Sequence, residues 1–172
     1  MGRDLDDVDR SILYLLQRDA RNATAQEMGD TVGVSASTVR NRIDRLESDG
    51  IIKGYHPEID YEAANLPLQV TFVISAPPAE LVDISADLRK IQGVVDVREM
   101  LTGRRNIHAD VVGTSTSDIT RITDAIHDLG VTIESSEMLR RRHVQPFNHF
   151  FLQGSDDHDA PDEPDTEDER PD

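Results

Sequence analysis

Residues 24–49 read TAQEMGDTVGVSASTVRNRIDRLESD, and this stretch decides the fold of the N-terminal part of the chain. Thr24, followed three residues later by Glu27, gives the side-chain pattern of a helix-capping box. The short helix that begins there should end at Gly33, in the tight turn. Gly29 supplies a small residue where two helices approach closely. Together these features predict a helix-turn-helix.

A second helix follows the turn, capped by Ser35, and it has one apolar and one polar face. Val39, Ile43 and Leu46 recur at steps of four and three residues, so they should face the interior. The outward side carries hydroxyl, amide and guanidinium groups, which suit base edges and phosphates in a DNA major groove. The alternative is a solvated helix whose arginines pair with nearby carboxylates. The predicted DNA-binding residues are Ser35, Ser37, Thr38, Arg40, Asn41, Arg42, Arg45 and Lys53.

The middle of the chain alternates strand-like and helix-like stretches in the order βαββαβ, which is the split-βαβ, ferredoxin-like arrangement. The expected strands are 68–75, 94–101, 107–112 and 131–139. The expected helices are 80–91 and a second one capped by Ser117 and closed by Gly130. The predicted fold class is α+β. Its parts are a winged helix-turn-helix domain at 1–55, a proline-containing linker at 56–67, a βαββαβ domain at 68–152 and an acidic tail at 153–172.

The net formal charge of −16 is concentrated towards the end of the chain. The last twenty residues carry ten acidic side chains and one basic one. With three prolines and few apolar groups, this tail cannot offset its ordering entropy by burial, so it is expected to be disordered. Lysine is scarce, with 2 residues against 16 arginines, and 23 of the 34 acidic residues are aspartates. This bias indicates a halophilic archaeon with a cytoplasm at high salt; an ordinary acidic bacterial protein is the alternative.

Composition also excludes several classes of protein. The chain has no cysteine, which excludes disulfide scaffolds, zinc–thiolate sites, iron–sulfur clusters and thiol nucleophiles. No apolar run approaches the ~18 residues of a membrane-spanning helix, so a cytoplasmic protein without a membrane partner is expected. The histidines are scattered, and paired carboxylates, a Ser–His combination or a phosphate loop are absent. We therefore expect no metal site, no cofactor and no enzymatic activity.

Three stretches carry a resemblance to a known family: LDDVDRSIL at 5–13, VSASTVRNRIDRL at 34–46 and GIIKGY at 50–55. They resemble the DNA-binding half of leucine-responsive/asparagine-regulator (Lrp/AsnC) transcription factors, and the βαββαβ half is similar to their regulatory (RAM) domain. The resemblance covers about residues 5–150. It implies a homodimer built through the regulatory sheets, often assembled into tetramers or octamers. The predicted function is that of a sequence-specific DNA-binding transcriptional regulator acting as a dimer or higher oligomer.

The resemblance also implies control by a small effector, commonly an amino acid, bound near the turn between the second and third strands. The corresponding residues here are Thr102, Gly103, Arg104, Arg105 and Asn106. The family's turn usually reads glycine, an acidic residue, an aromatic residue and aspartate. In this chain two arginines and an asparagine follow the glycine, which favours an anionic ligand such as a dicarboxylate. A solvent-exposed turn without a ligand is the alternative.

The sequence is compatible with two functions other than that of a sequence-specific regulator. Siroheme decarboxylases share the two-domain layout, although the aromatic and paired-histidine motif that they carry is not matched here. A chromatin-like protein that binds DNA without sequence preference is the second alternative. Phe147, Phe150 and Phe151 form an apolar patch after the last strand, and we expect them to pack against the sheet or a neighbouring subunit.

Overall fold

The structure is a computed structural model that describes residues 4–147 and residue 150. These residues form two compact units: the first contains residues up to Tyr55 and those from Val144 onward, and the second contains His56–His143. The predicted disordered tail at 153–172 lies outside the described residues. Within the described ranges, no helix is both long enough and apolar enough to cross a membrane.

The first unit contains three helices, α1 (Asp7–Asp19), α2 (Ala25–Val32) and α3 (Ala36–Ser48). Each has an amphipathic sequence, and their apolar faces meet in one core. The buried core residues are Ile12, Leu13, Met28, Val39 and Leu46. Three short helices around a single core are the minimum that a helix-turn-helix needs to hold its second helix at a fixed angle.

The segment after α3 lacks regular secondary structure from residue 51 to residue 60. The backbone N–H groups of Ile51 and Ile52 instead donate to the carbonyl oxygen of Leu46, at 2.9 and 3.0 Å. These bonds fold the chain back against the end of α3. The position at which winged domains carry a β-hairpin is therefore occupied here by a segment without strands.

The second unit has the predicted βαββαβ order. Its elements are β1 (Leu68–Ser75), α4 (Leu81–Leu88), β2 (Val94–Glu99), β3 (Ile107–Gly113), α5 (Thr116–His127) and β4 (Thr132–Met138). The sheet order is β2-β3-β1-β4, and every pair of neighbouring strands is antiparallel. The α+β fold class is confirmed, whereas the predicted cap of α5 is wrong. Ser115 caps this helix, because its Oγ accepts from the backbone N–H of Asp118 at 3.3 Å.

The helices α4 and α5 cover one face of the sheet. Side chains that alternate along β1 and β3 point into this core, as the period-two geometry of strands requires. The largest fully buried members are Ile74, Leu88, Ile107, Ile122 and Ile126. The opposite face carries a polar network: Thr71 Oγ1 donates to Asp110 Oδ1 at 2.7 Å, and the Arg98 guanidinium donates to both oxygens of Asp110 at 2.9 and 3.0 Å.

Candidate nucleic-acid interface

Two capping motifs fix the turn that leads into α3. The predicted capping box is present, with Thr24 and Glu27 each bonding the other's backbone N–H. Gly33 ends α2 in the left-handed conformation, at φ 79°, and its N–H donates to the Gly29 carbonyl at 2.8 Å. A Cβ on Gly29 would lie 2.6 Å from the backbone oxygen of Val34, so only glycine allows this approach. The sequence predictions for this turn are confirmed.

The helix α3 presents its polar face to solvent and its apolar face to the core. Val39 and Leu46 are fully buried, and Ile43 packs against the same cluster. The residues at successive steps of four on the other side are all exposed: Ser37, Asn41 and Arg45. This row of a hydroxyl, an amide and a guanidinium has the donors and acceptors that base edges in a major groove require.

The N-terminus of α3 is held by hydroxyl groups. Ser35 Oγ accepts from the backbone N–H of Thr38 at 3.1 Å, which confirms it as the helix cap. The same Oγ lies 2.9 Å from the Ser37 hydroxyl and 2.8 Å from the Thr38 hydroxyl. Positive partial charge at a helix N-terminus favours a phosphate nearby, and these three hydroxyls can each donate to one.

Three cations of the candidate interface are exposed and have no ion-pair partner among the residues that the structure describes. Arg40, Arg45 and Lys53 take part in none of the ion pairs formed among residues 4–147 and 150. The alternative prediction, in which the arginines of α3 pair with carboxylates of their own helix, therefore does not describe Arg40 and Arg45. Their charges remain available to an external anion.

The guanidinium of Arg42, in contrast, is paired with carboxylates at the start of α1. Its Nη1 lies 2.7 Å from Asp6 Oδ2 and 3.1 Å from Asp9 Oδ1, so it joins α3 to the start of α1. The Asp9 side chain is only 1% exposed, whereas that of Asp6 is 50% exposed. The hydrogen bond to Asp6 and the two negative charges raise the pKa of Arg42 above its usual value. Arg42 was predicted to bind DNA, but its contacts in this structure hold α3 in place.

Tyr55 connects the segment after α3 to the helix itself. Its hydroxyl donates to Glu47 Oε1 at 2.9 Å. Burial of the hydroxyl and the bond to this carboxylate raise the pKa of Tyr55 to about 12. The bond ties Tyr55 to the C-terminal turn of α3. Sequence reasoning did not identify this contact.

The predicted effector turn lies between β2 and β3. Thr102, Gly103, Arg104 and Arg105 are exposed, and Arg104 Nη2 lies 3.8 Å from Glu134 Oε1. Asn106 differs from its neighbours because it is only 6% exposed. Its Nδ2 donates to the Ala76 carbonyl at 2.8 Å and its Oδ1 accepts from the Ala76 N–H at 2.9 Å. The side chain of Asn106 therefore joins the ends of two strands.

The C-terminal aromatic patch was predicted to pack on the sheet or on another subunit, and the structure differs. Phe150 packs against the apolar cluster of the helix-turn-helix unit, while Phe151 lies outside the described residues. The ring of Phe147 meets that of Phe150 edge-on, with centroids 4.9 Å apart. The backbone N–H of Phe147 also donates to Gln17 Oε1 at 3.3 Å. The partner of Phe150 is therefore the apolar surface of the helix-turn-helix unit, which the sequence analysis did not predict.

Comparisons with known proteins agree with this geometry. Residues 5–53 match the family model described as winged helix-turn-helix DNA-binding. The chain is 33% identical over 138 residues to the HTH-type transcriptional regulator AldR of Mycobacterium tuberculosis, covering 66% of this chain and 76% of AldR. It is 34% identical over 139 residues to the HTH-type transcriptional regulator LysM of Sulfurisphaera tokodaii, covering 80% of this chain and 96% of LysM.

A solved structure extends the similarity to both units. It is the feast or famine regulatory protein of M. tuberculosis in complex with L-methionine, which aligns with a TM-score of 0.72 at 28% identity. The alignment covers 83% of this chain and 96% of that one. The fold and these similarities define a DNA-binding transcriptional regulator of the helix-turn-helix class. Within that class, the chain belongs to the Lrp/AsnC family.

Proposed function

We propose that the protein recognises specific DNA sites as a homodimer, with one α3 from each subunit in successive major grooves. The observation that carries this proposal is the exposed row of Ser37, Asn41 and Arg45 on a helix whose opposite face packs into the apolar core. A rigidly seated helix can present side chains to base edges in a fixed register. Two such helices of a symmetric dimer would read half-sites about one turn apart, ~34–36 Å, on a pseudo-palindromic site.

The roles of the individual side chains follow from their chemistry. Arg45 pairs best with the two acceptors of a guanine edge, and Asn41 with the acceptor and donor of an adenine edge. Arg40 and Lys53 lie beside this row and bind phosphates, which positions the helix without reading sequence. The hydroxyls of Ser35, Ser37 and Thr38 bind phosphate at the helix N-terminus. Arg42 contributes indirectly, by fixing α3 on α1.

The homodimer would be formed by the face of the sheet that α4 and α5 leave uncovered. This face combines the polar network around Asp110 with exposed apolar side chains, among them Ile59 and Val95, which are 47% and 45% exposed. Apolar area with interspersed charge pairs is the composition of interfaces between subunits.

We also propose that a small carboxylate effector, an amino acid or a dicarboxylate, binds at the β2–β3 turn. Arg104 and Arg105 are exposed there, and guanidinium groups bind carboxylates in a bidentate manner. The related feast or famine protein was crystallised with L-methionine, which also carries a carboxylate. Isothermal titration with glutamate, 2-oxoglutarate and methionine tests this. Binding that is lost in Arg105→Ala supports the site, and heats indistinguishable from dilution for all three ligands contradict it.

The acidic composition supports a cytoplasm at high salt as the place of action, since hydrated carboxylates keep a protein soluble there. Because the relatives are named as transcriptional regulators, we propose regulation by DNA binding rather than catalysis. Thermal unfolding in rising potassium chloride tests the first part. Stabilisation up to molar salt is expected, and a maximum near 0.15 M would contradict a high-salt origin.

The decisive experiment on DNA recognition begins with selection of bound sequences from a random pool. On the selected site, Arg45→Ala and Asn41→Ala should each reduce discrimination between bases by roughly 1–3 kcal/mol. Lys53→Ala should weaken binding to all sequences about equally. Arg18→Ala, an exposed arginine of α1, is the matched control. Selection that yields no consensus, or equal effects of Arg45→Ala and Arg18→Ala, would refute recognition by α3.

A further inference from the structure

A short segment near the end of the described chain is anchored beside the candidate DNA-binding surface. Phe150 lines an apolar groove with Leu13 and Leu16 of α1 and with Ile51, Ile52 and Lys53. Lys53 is one of the proposed phosphate contacts. The chain that continues beyond Phe150 therefore starts next to a cation of the interface.

The sequence beyond this anchor has the opposite charge to the interface. Residues 151–172 contain ten acidic side chains and one basic one, a net charge of −9. The exposed cations Arg40, Arg45 and Lys53 form no ion pair within residues 4–147 and 150. A dense run of carboxylates resembles a nucleic-acid backbone in its charge, so the two would be attracted by the same groups.

The length of the segment is sufficient. Twenty-two residues can span at most ~75 Å when fully extended, at about 3.4 Å per residue. The thirteen residues of α3 measure only ~20 Å, at 1.5 Å per residue. A chain that begins at the groove of Phe150 can therefore follow the whole of α3 with several residues to spare.

From this anchor and this charge complementarity we infer that the acidic segment 151–172 occupies the exposed face of α3 and competes with DNA for Arg40, Arg45 and Lys53. The inference rests on the proposed role of α3 in DNA binding. The segment acts as an internal competitor that covers the exposed face of α3 in the free protein. DNA must bind strongly enough to displace it. Its carboxylates would discriminate against non-specific DNA, whose binding is almost entirely electrostatic.

The strength of the masking follows from tethering. A short tether gives an effective concentration of about 1 mM, so a segment with an intrinsic Kd of about 0.1 mM would weaken DNA binding about ten-fold. Rising salt screens the segment and the DNA alike, and at about 1 M the Debye length is only ~3 Å. The intact chain should therefore lose DNA affinity with salt less steeply than a chain whose tail carries no charge.

The test compares three full-fold variants on the selected DNA site over a salt series. One ends at residue 153, one has the ten acidic residues of the tail replaced by asparagine or glutamine, and one is Phe150→Ala, which keeps the charge and loosens the anchor. The first two should bind DNA about ten-fold more tightly than the intact chain at about 0.1 M salt and equally at about 1 M. Phe150→Ala should fall between them and the intact chain at low salt.

A second readout locates the tail without DNA. Backbone amide shifts of the intact chain and of the neutral-tail variant should differ at α3 and at Lys53. Differences confined to other groups of cations, at Arg104 and Arg105 or at residues 140–142, would overturn the inference. Identical DNA affinities of the intact and neutral-tail chains at low salt would also overturn it.

The two proposals fail in different ways. If no variant selects a DNA site and Arg45→Ala has no effect, the proposed function of α3 is wrong. If the site is selected normally and Arg45→Ala weakens binding, but removing the tail charge changes neither the affinity nor the salt dependence, only the inference about the tail is wrong.

Discussion

Replacing Arg42 should destabilise the helix-turn-helix unit far more than an ordinary surface substitution. Arg42→Ala removes the guanidinium that lies 3.1 Å from the Asp9 carboxylate, whose side chain is 1% exposed. Removing one partner of a buried ion pair costs about 3–5 kcal/mol, because the remaining buried charge loses an attraction that offset its desolvation. Here the cost should be lower, since the Arg42 side chain is 26% exposed.

A further contribution reduces the loss. Asp9 lies in the first turn of α1, where the helix dipole stabilises a negative charge by about 0.3–1 kcal/mol. We therefore expect Arg42→Ala to lower the free energy of opening of α1 and α3 by about 2–3 kcal/mol. In native-state hydrogen exchange this corresponds to a roughly 30- to 150-fold loss of amide protection, at 1.4 kcal/mol for each factor of ten.

Asp6→Asn is the matched control, because it removes the exposed partner of Arg42 at 2.7 Å. Asparagine caps a helix as well as aspartate does, so the bond that the Asp9 N–H donates is kept. This variant should lose at most ~1 kcal/mol. Adding Asp9→Asn to Arg42→Ala should restore part of the protection, and amides of β1 should be unchanged throughout. Equal losses in Arg42→Ala and Asp6→Asn would refute the assignment of the loss to buried charge.

Two further predictions concern the turn and the end of α3. Gly29→Ala places a Cβ 2.6 Å from the Val34 carbonyl and should cost about 1–3 kcal/mol with a loss of DNA affinity. Gly33→Ala is the control, because a Cβ at this position meets no atom within 4 Å. It should cost only the ~1–2 kcal/mol of a left-handed backbone. Equal losses of DNA affinity in Gly29→Ala and Gly33→Ala would contradict the steric explanation. In an ultraviolet phenolate titration, Tyr55 should ionise at about pH 12 and nearer its usual value in Glu47→Gln. A tyrosine in the unfolded chain ionises near pH ~10. The contribution of the Tyr55–Glu47 bond to stability is therefore complete below that pH and is lost as the pH rises to about 12. An unchanged Tyr55 titration in Glu47→Gln would contradict this.

The parts of the fold that the sequence predicted are those determined by neighbours along the chain. The capping box joins residues three apart, Thr24 and Glu27, and the turn needs a glycine at position 33 for a backbone angle that other residues avoid. The strand predicted from the β-branched run at 68–75 has the bounds that the structure gives to β1, Leu68–Ser75. The cap of α5 was misplaced because two serines, Ser115 and Ser117, lie two residues apart, and only the backbone angles of Ser115 are extended as a cap requires.

The parts that sequence reasoning missed depend on contacts between distant residues. Arg42 and Asp9 are 33 positions apart, and no local pattern distinguishes an arginine that turns inward from one that faces solvent. Asn106 and Ala76 are 30 positions apart, and their paired bonds exist only when β1 and β3 are neighbours. Phe150 lacked a predictable partner, because a groove on α1 is defined only once the three helices have packed.

These contacts also decide how an acidic protein can bind DNA. Of the four cations first predicted to reach DNA, Arg42 is neutralised by carboxylates, which leaves Arg40, Arg45 and Lys53 in each subunit. Because Arg45 is assigned to a base edge, a dimer offers four phosphate-binding cations. At about −0.9 per phosphate neutralised, a plot of the logarithm of affinity against the logarithm of salt concentration should have a slope of about −4, less than half that of lac repressor. Competition by the acidic tail makes the slope of the intact chain shallower still. Affinity at high salt must then come from contacts that salt does not screen, which are those proposed between base edges and the side chains of Asn41 and Arg45. A measured slope near ~−10 would require more than twice as many phosphate contacts as these cations provide.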